Sequence, residues 1–337
     1  MIKRQYLTVC KLEKNSGARI RRPGKILMVK KHQYCIVDGY TITGDAPKEF
    51  IRVYEYGEVR KSIPKKWPLY IAKTGHKWYP TESITEYLLN ILGVEFGLEM
   101  AKSKIAWIGG QIRFLSRYFL SSQKQELIHG ADIFAGFVND REFVEEIEEK
   151  QLARDLFTLQ FTQEALEFTF PYHWEVILNQ FVRMLLFDAL VGNNDRHFYN
   201  WGVVRHIESK HEPYFSPIYD TARGLFWNES EKKVLALWKD KNRLQTYLSK
   251  YCNNSRPKIG WEGATNINHF KLVSKIYKNE FGISKSEIND LFSRSRFEKM
   301  IDSIEFNLSD ILGVERTKLI LECLNFRYNE ISKLIGG

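Results

Sequence analysis

The densest polar stretch in this sequence is Gly192-Asn193-Asn194-Asp195-Arg196-His197 with Asn200 three residues on, and it directly follows an apolar segment, Trp174 to Leu190. Two strand-like runs come next, Trp201 to His206 and Tyr214 to Tyr219, joined by the turn Ile207 to Pro213, and Asp220 follows the second. In an antiparallel hairpin the residue before the first strand and the residue after the second share one end, so Asn200 and Asp220 are expected to be neighbours. Asp195, five residues back, can reach the same space. Two Asp and one Asn at one place form a hard oxygen set suited to Mg²⁺, which takes a few carboxylates plus substrate phosphates. In phosphoryl transfer, one carboxylate orients the attacking hydroxyl while an Asn and an Asp hold metal on the nucleotide. Asp195 fits the first role; Asn200 and Asp220 fit the second. The plainer reading is that an Asn- and Asp-rich loop simply turns the chain.

The cations such chemistry needs lie upstream. Lys73 ends the run Leu69 to Ala72, where a strand would hold it over a cleft to neutralise phosphate; otherwise it is a surface lysine at a strand end. Glu86, near the start of the next helix, could pair with it, with Glu82 as the alternative partner. A capping box with Ser83 explains Glu86 equally well. Asp38 to Lys48 is a turn of small residues that contains Thr41, Thr43 and Gly44. Its backbone N–H groups could cradle phosphate, with Lys48 closing it, although it has neither a Gly-x-Gly-x-x-Gly nor a Walker pattern.

The elements that must position these residues fall into two parts. Lys25 to Lys30, Tyr34 to Val37, Phe50 to Tyr54 and Leu69 to Ala72 read as short strands between turn residues. Lys104 to Ile108, Gly109-Gly110 and Gln111 to Phe119 read as a hairpin, because paired glycines supply positive φ. One helix, Ser83 to Phe96, stands before it. After Leu120 the pattern turns helical, with an acidic stretch from Arg141 to Lys150, an apolar helix from about Trp174 to Leu190, and further helices near Ile267 to Phe281, Lys285 to Phe292 and Arg316 to Leu334. The expected fold class is α+β in two lobes. An antiparallel sheet of about five strands with a single helix occupies residues 1–120, and a mostly helical lobe occupies residues 121–337. Lys239 to Gly260 reads as a mobile surface excursion, near the acceptor site if it has a role.

The chain's 337 residues, 44% apolar and 27% charged, exclude a disordered or fibrous class. No apolar run reaches the roughly 18 residues of a membrane span; the strongest, Val176 to Val191, is broken by Asn179, Gln180, Arg183 and Asp188. Cys10, Cys35, Cys252 and Cys323 lie too far apart in sequence for a metal motif, and suit a reducing compartment. No signal peptide is read at the start. A cytoplasmic location is expected, with secretion or translocation without a cleavable signal as the alternative. The formal charge of +9 is concentrated early: ten Lys or Arg against Glu13 alone between Met1 and His32. That balance favours an anionic partner without choosing among nucleic acid, membrane surface and nucleotide phosphate.

The order of phosphate turn, strand lysine, helix glutamate, Gly-Gly hairpin, Asp195-Arg196-His197-x-x-Asn200 and hairpin-borne Asp220 resembles the HipA-like serine/threonine kinases and, more remotely, the phosphoinositide kinases. The resemblance spans about Tyr40 to Trp227 and implies a protein-kinase-like fold that uses ATP and Mg²⁺. Family members carry a Ser-Ile-x-Gly turn whose serine is autophosphorylated. Thr41-Ile42-Thr43-Gly44 stands there, which implies Thr41, then Thr43, as the modified residue. Ile71-Ala72-Lys73 corresponds to the family's Ile-Lys strand motif with one residue inserted. Thr85-Glu86 corresponds to its Asn-Glu helix start, and Arg117-Tyr118-Phe119 loosely to its Glu-Arg-Phe adenine hinge. His197 is expected to orient the loop.

Only some forty residues precede the turn, as in compact members without the full accessory domain of the toxin-type kinases. A DNA-binding antitoxin docked as in those members is therefore not the expected partner. The expected partner is a protein with a Ser or Thr acceptor. A small-molecule or lipid kinase on the same core is one alternative. A non-catalytic basic nucleic-acid-binding protein is another, and nucleic acid is not the favoured partner.

Overall fold

A computed structural model describes residues 26–38, 48–74, 81–120, 124–150, 152–208, 211–264, 266–308 and 311–336. The first sheet is built from β1 (Leu27–Met28), β2 (Tyr34–Ile36), β3 (Lys48–Val53), β4 (Leu69–Lys73), β5 (Ser103–Ile108) and β6 (Gln111–Arg117) in the order β1-β5-β6-β4-β3-β2. It has six strands rather than five, and β1 runs parallel to β5, whereas every other pairing is antiparallel. Gly109 and Gly110 both have positive φ and close the β5–β6 hairpin as their sequence requires. The central strands β4 and β6 are mostly buried, with Tyr70, Ala72, Phe114 and Leu115 inside.

Helix α1 (Glu82–Phe96) covers one face of that sheet and ends on Gly97, which is left-handed at φ 92. Its Leu88, Leu89, Leu92 and Phe96 are buried in the same core as the helices of the second half. A second, three-stranded sheet follows, β7 (Gln125–His129), β8 (Gly202–His206) and β9 (Tyr214–Phe215), in the order β7-β8-β9. The remaining chain is helical: α2 (Gly130–Val138), α3 (Arg141–Glu149), α4 (Ala153–Leu156), α5 (Leu159–Thr169), α6 (Trp174–Val191), α7 (Glu231–Leu237), α8 (Lys241–Asn254), α9 (His269–Asn279), α10 (Lys285–Leu291), α11 (Arg294–Leu308) and α12 (Val314–Ile335).

Helix α6 is the axis of this half. Twelve of its residues from Ile177 to Val191 are buried, so it is apolar nearly all round, as a central helix must be. None of the described helices is long and apolar enough to cross a membrane.

Two local expectations are corrected. The Lys239–Gly260 segment is not an excursion: Asp240 caps α8 by accepting from the Asn242 and Arg243 N–H groups, and Leu244, Leu248 and Cys252 bury one narrow stripe. The Ser83–Glu86 capping box is not formed either. Helix α1 starts at Thr81, which makes no side-chain cap, and the Glu86 carboxylate turns toward the sheet.

Candidate active site

The register of the first sheet explains how two lysines come to share one site. Lys48 in β3 lies directly opposite Lys73 in β4, and Lys73 lies opposite Phe114 in β6. Residues paired across antiparallel strands project from the same face, so the three side chains form one row. Like charges placed opposite one another are destabilising unless anions intervene. Here two do. Lys73 Nζ donates to Glu86 Oε1 at 2.6 Å and to Asp220 Oδ1 at 2.9 Å, while Lys48 Nζ donates to Asp220 Oδ2 at 3.2 Å. Lys73 and Glu86 are buried, whereas the Asp220 side chain is 32% exposed at the rim.

The charges on this row are mutually supported. Burial alone would depress the Lys73 ammonium, but Asp220 and Glu86 outweigh it and hold it above its ordinary range. Burial would raise the Asp220 carboxyl, yet Lys73 and Lys48 hold it well below the usual carboxylate range. Glu86 has the opposite fate: burial pushes its carboxyl up to about 7, with Lys73 opposing. Near neutral pH Glu86 is therefore poised between its two forms while Lys73 and Asp220 stay ionised.

The polar loop meets this row from below. Gly192, left-handed at φ 70, ends α6 and releases the chain into Asn193–Asn200. Arg196, 4% exposed, ties the loop together. Its guanidinium donates to both carboxylate oxygens of Asp188 at 2.9 and 3.1 Å, to the carbonyls of Asn200 and Tyr219 at 2.9 and 3.0 Å, and to Thr221 Oγ1 at 2.7 Å. One side chain thus joins α6, the loop and the segment that carries Asp220. Asp220 itself sits at φ 51, a conformation that Asp tolerates better than most side chains.

Asn200 donates its Nδ2 to the Asp195 carbonyl at 2.8 Å and stands 3.1 Å from His197 Nε2. Its amide oxygen is left to face other partners. The His197 backbone N–H donates to the Asp195 carbonyl at 2.9 Å, so His197 braces the loop through both main chain and ring. Asp195 carries Arg223, whose Nε lies 3.2 Å from Oδ2 and whose Nη1 lies 3.3 Å from Oδ1. Burial raises the Asp195 carboxyl, and Arg223 and Lys258 partly offset it.

The structure therefore brings Lys73, Glu86, Lys48 and Asp220 into direct contact, and Asn200 and Asp195 into one hydrogen-bonded loop beside them. Of the two proposed partners, Lys73 takes Glu86, whereas Glu82 stands 3.9 Å from Arg223. Arg117 ends β6, and Tyr118 and Phe119 follow it. Arg117 pairs with Tyr70, three residues before the Lys73–Phe114 pair, so this stretch is about 10 Å from the lysine row. Arg117 reaches Glu58 at 3.7 Å, the Tyr118 N–H donates to the Leu69 carbonyl at 2.9 Å, and the Phe119 ring packs on Tyr219, next to Asp220. Thr41, Thr43 and Gly44 lie outside the described residues.

The donor set suits Mg²⁺ held jointly with phosphates. Asp220 is ionised, Asn200 has its amide oxygen to offer, and among the described residues no three His, Cys, Asp or Glu form a cage that could hold a metal alone. Mg²⁺ commonly takes one or two protein oxygens and completes its shell with water and phosphate. The arrangement is one that could bind a polyphosphate between the lysine row and the loop.

Sequence reasoning missed Arg196 and Arg223. The signal for Arg196 was Asp188, the one polar residue in the buried run from Met184 to Val191, which has to find a buried cation. Nothing in the sequence pointed to Arg223.

The family model of the HipA-like C-terminal domain matches residues 40–296. Among solved structures, the Helicobacter pylori proinflammatory kinase CtkA superposes with a TM-score of 0.68 at 16% identity, over 89% of this chain and 93% of that one. HipA from the Shewanella oneidensis MR-1 toxin–antitoxin system, solved with HipB and operator DNA, gives 0.50 at 12% identity, over 100% of this chain and 73% of that one. At these identities the likeness is one of fold. None of the curated proteins matches the sequence.

Proposed function

The chain belongs to the HipA-like family, and from that premise we propose that it is a protein serine/threonine kinase that uses ATP and Mg²⁺ and phosphorylates itself at Thr41 or Thr43. The observation that carries the reading is the row in which Lys73 bridges Glu86 and Asp220 while Lys48 takes the other Asp220 oxygen.

In this reading Lys73 and Lys48 bind the nucleotide phosphates, and Glu86 holds Lys73 in place. Asn200 and Asp220 would hold Mg²⁺, which supplies charge neutralisation on the phosphates when bound. Arg117, Tyr118 and Phe119 would face the adenine. Asp195 positions the acceptor hydroxyl. The hydroxyl oxygen forms a bond to the γ-phosphorus, the bond to the β–γ bridging oxygen breaks, ADP leaves with that electron pair, and the hydroxyl proton passes to the Asp195 carboxylate. Positioning and charge neutralisation carry most of such a reaction.

The test is incubation of the full chain with labelled ATP and Mg²⁺, followed by mass-spectrometric site mapping, with Asp195→Ala in parallel. Wild type should label Thr41 or Thr43. The variant should lose about 10²-fold or more in rate, the usual cost of removing a positioned base, while still binding nucleotide. Label appearing only on an added metabolite or lipid would replace the protein-kinase reading with a small-molecule one.

A further inference from the structure

Beside Asp195 lies a cavity of about 350 Å³ whose described lining includes none of the lysine row. Among the described residues its wall carries four cations, Arg154, Arg223, Arg256 and Lys258, and one carboxylate, Asp195. Two acids stand behind it: Glu82 at 3.9 Å from Arg223, and Asp155 acting on Arg154 at longer range. The balance remains positive.

This wall is built rather than accidental. Arg154 Nε donates to the Pro257 carbonyl at 2.8 Å, the Leu159 N–H donates to the Gly260 carbonyl at 3.0 Å, and Ser255 Oγ donates to the Gly192 carbonyl at 3.3 Å. A Cβ on Gly260 would fall 2.1 Å from the Arg154 carbonyl oxygen, so the approach of the two segments depends on glycine there. Residues 255–260 are thereby clamped between α4 and the loop that carries Asp195, and they hold Arg256 and Lys258 half-buried at its mouth. Arg223 is further fixed over the Trp227 ring. Arg154 and Arg256 are close enough that their repulsion, added to burial, lowers the Arg154 guanidinium. Among the described residues Lys258 has no carboxylate within ion-pair distance. Half-buried cations with no carboxylate within ion-pair distance, as Arg256 and Lys258 are among the described residues, cost stability unless something neutralises them.

We propose that this cavity is the acceptor subsite and that it selects protein segments whose Ser or Thr has an acidic residue within about three positions. The proposal rests on the kinase reading above. The cavity is roughly 9 Å across if round, which spans two to three residues of an extended chain. An acceptor hydroxyl at Asp195 therefore places the side chains of its near neighbours among the cations. Recognition of acidic or phosphorylated segments by arginine clusters follows the same electrostatics. The overall positive charge would also draw such a segment in.

The experiment uses the full chain with ATP and Mg²⁺ and a set of peptides that share one Ser or Thr acceptor. The flanking positions carry Asp or Glu, phosphoserine, Ala, or Lys. A second arm offers small phosphorylated or carboxylated alcohols. ADP formation without any acceptor is measured alongside. Wild type should favour the acidic and phosphoserine peptides over the Lys set by about tenfold or more in kcat/KM, as expected for one or two charge-assisted pairs. The charge reversals Lys258→Glu and Arg256→Glu should each collapse or invert that ratio, with the change in KM larger than the change in kcat. If ADP forms but Ala or Lys peptides are preferred, or if only the small alcohols accept phosphate, the acidic-segment proposal is overturned and the kinase reading stands. If no ADP forms and no acceptor is labelled, the kinase reading itself fails.

Discussion

The two halves of the cleft handle charge in opposite ways. On the sheet side, Lys48 and Lys73 are matched by Glu86 and Asp220, and three short contacts connect all four. On the helical side, Arg154, Arg223, Arg256 and Lys258 line a cavity to which, among the described residues, Asp195 contributes the one carboxylate, with Glu82 and Asp155 behind it. The first arrangement is internally satisfied and can hold a fixed geometry with nothing bound. The second is complete only when a further anion arrives. A matched cluster is what a conserved chemical step needs, because its groups must stand in place before the substrate does. An unmatched one suits selection among acceptors, because it gains most from the ligand that supplies the missing charge.

The sharpest way to break this contrast is Lys73→Met, which keeps much of the side chain's volume and removes the charge. It leaves Glu86 buried without its cation and Asp220 with Lys48 alone. Phosphoryl transfer should fall about 10²- to 10³-fold, in the range for loss of one preorganised electrostatic group. Nucleotide affinity, measured by equilibrium titration, should fall as well. A matched cluster should also lose thermal stability on this change, because the buried Glu86 loses its hydrogen-bonded partner and must take up a proton. Rates within a few-fold of wild type would show that the row is structural.

The legibility of these two regions in the sequence differs for the same reason. Asn200 and Asp220 could be expected at one place from strand ends alone, because hairpin geometry forces that convergence, whereas Lys73 reads only as the end of a separate strand. Glu86 was ambiguous: its spacing from Ser83 suits a capping box as well as a lysine partner, and only the sheet register decides in favour of Lys73. The helical cavity was not legible. Its cations come from α4, from the stretch after Asp220 and from residues 255–260, so no local pattern joins them. Helix α8, which delivers that last segment, was missed because its sequence KNRLQTYLSKYCNN buries only a stripe at every fourth residue. Strand β7 was missed because all five of its residues are half-buried, which erases the alternation by which a strand is recognised.

Glu86→Gln sharpens the comparison more gently. In the folded protein the Glu86 carboxyl is pushed up to about 7 from an ordinary value of 4.5. Between those two pH values the native state keeps a proton that the unfolded chain has released, so this group's contribution to stability declines as pH rises through that window. The Asp195 carboxyl is also raised and adds a trend of the same sign at the lower end, but it is common to both proteins. The difference in melting temperature between wild type and Glu86→Gln should therefore drift against wild type from about pH 5 to about pH 7.5. A pH-independent difference would mean that Lys73 keeps Glu86 ionised throughout, and that the row is a plain ion pair.

The smallest expected effect lies on the unmatched side. Arg223 is the nearest cation to Asp195 and lowers a carboxyl that burial would otherwise raise further. If Asp195 must be ionised to receive the hydroxyl proton, transfer falls away as pH drops through its pKa, which gives an acid limb in the rate profile. Arg223→Gln removes the largest opposing influence and leaves only the weaker ones of Lys258 and Arg196, so the pKa rises. The acid limb of kcat should then move to higher pH, by about one unit or less for a partly exposed pair, while the plateau at high pH changes little. A substitution that merely loosened the loop would lower the plateau and leave the limb in place. Because Arg223 also borders the proposed acceptor cavity, the same variant should weaken preference for acidic peptides only slightly, with Arg154, Arg256 and Lys258 retained. A limb that moved to lower pH, or not at all, would separate Asp195 from the titration and leave the four cations without a catalytic neighbour to serve.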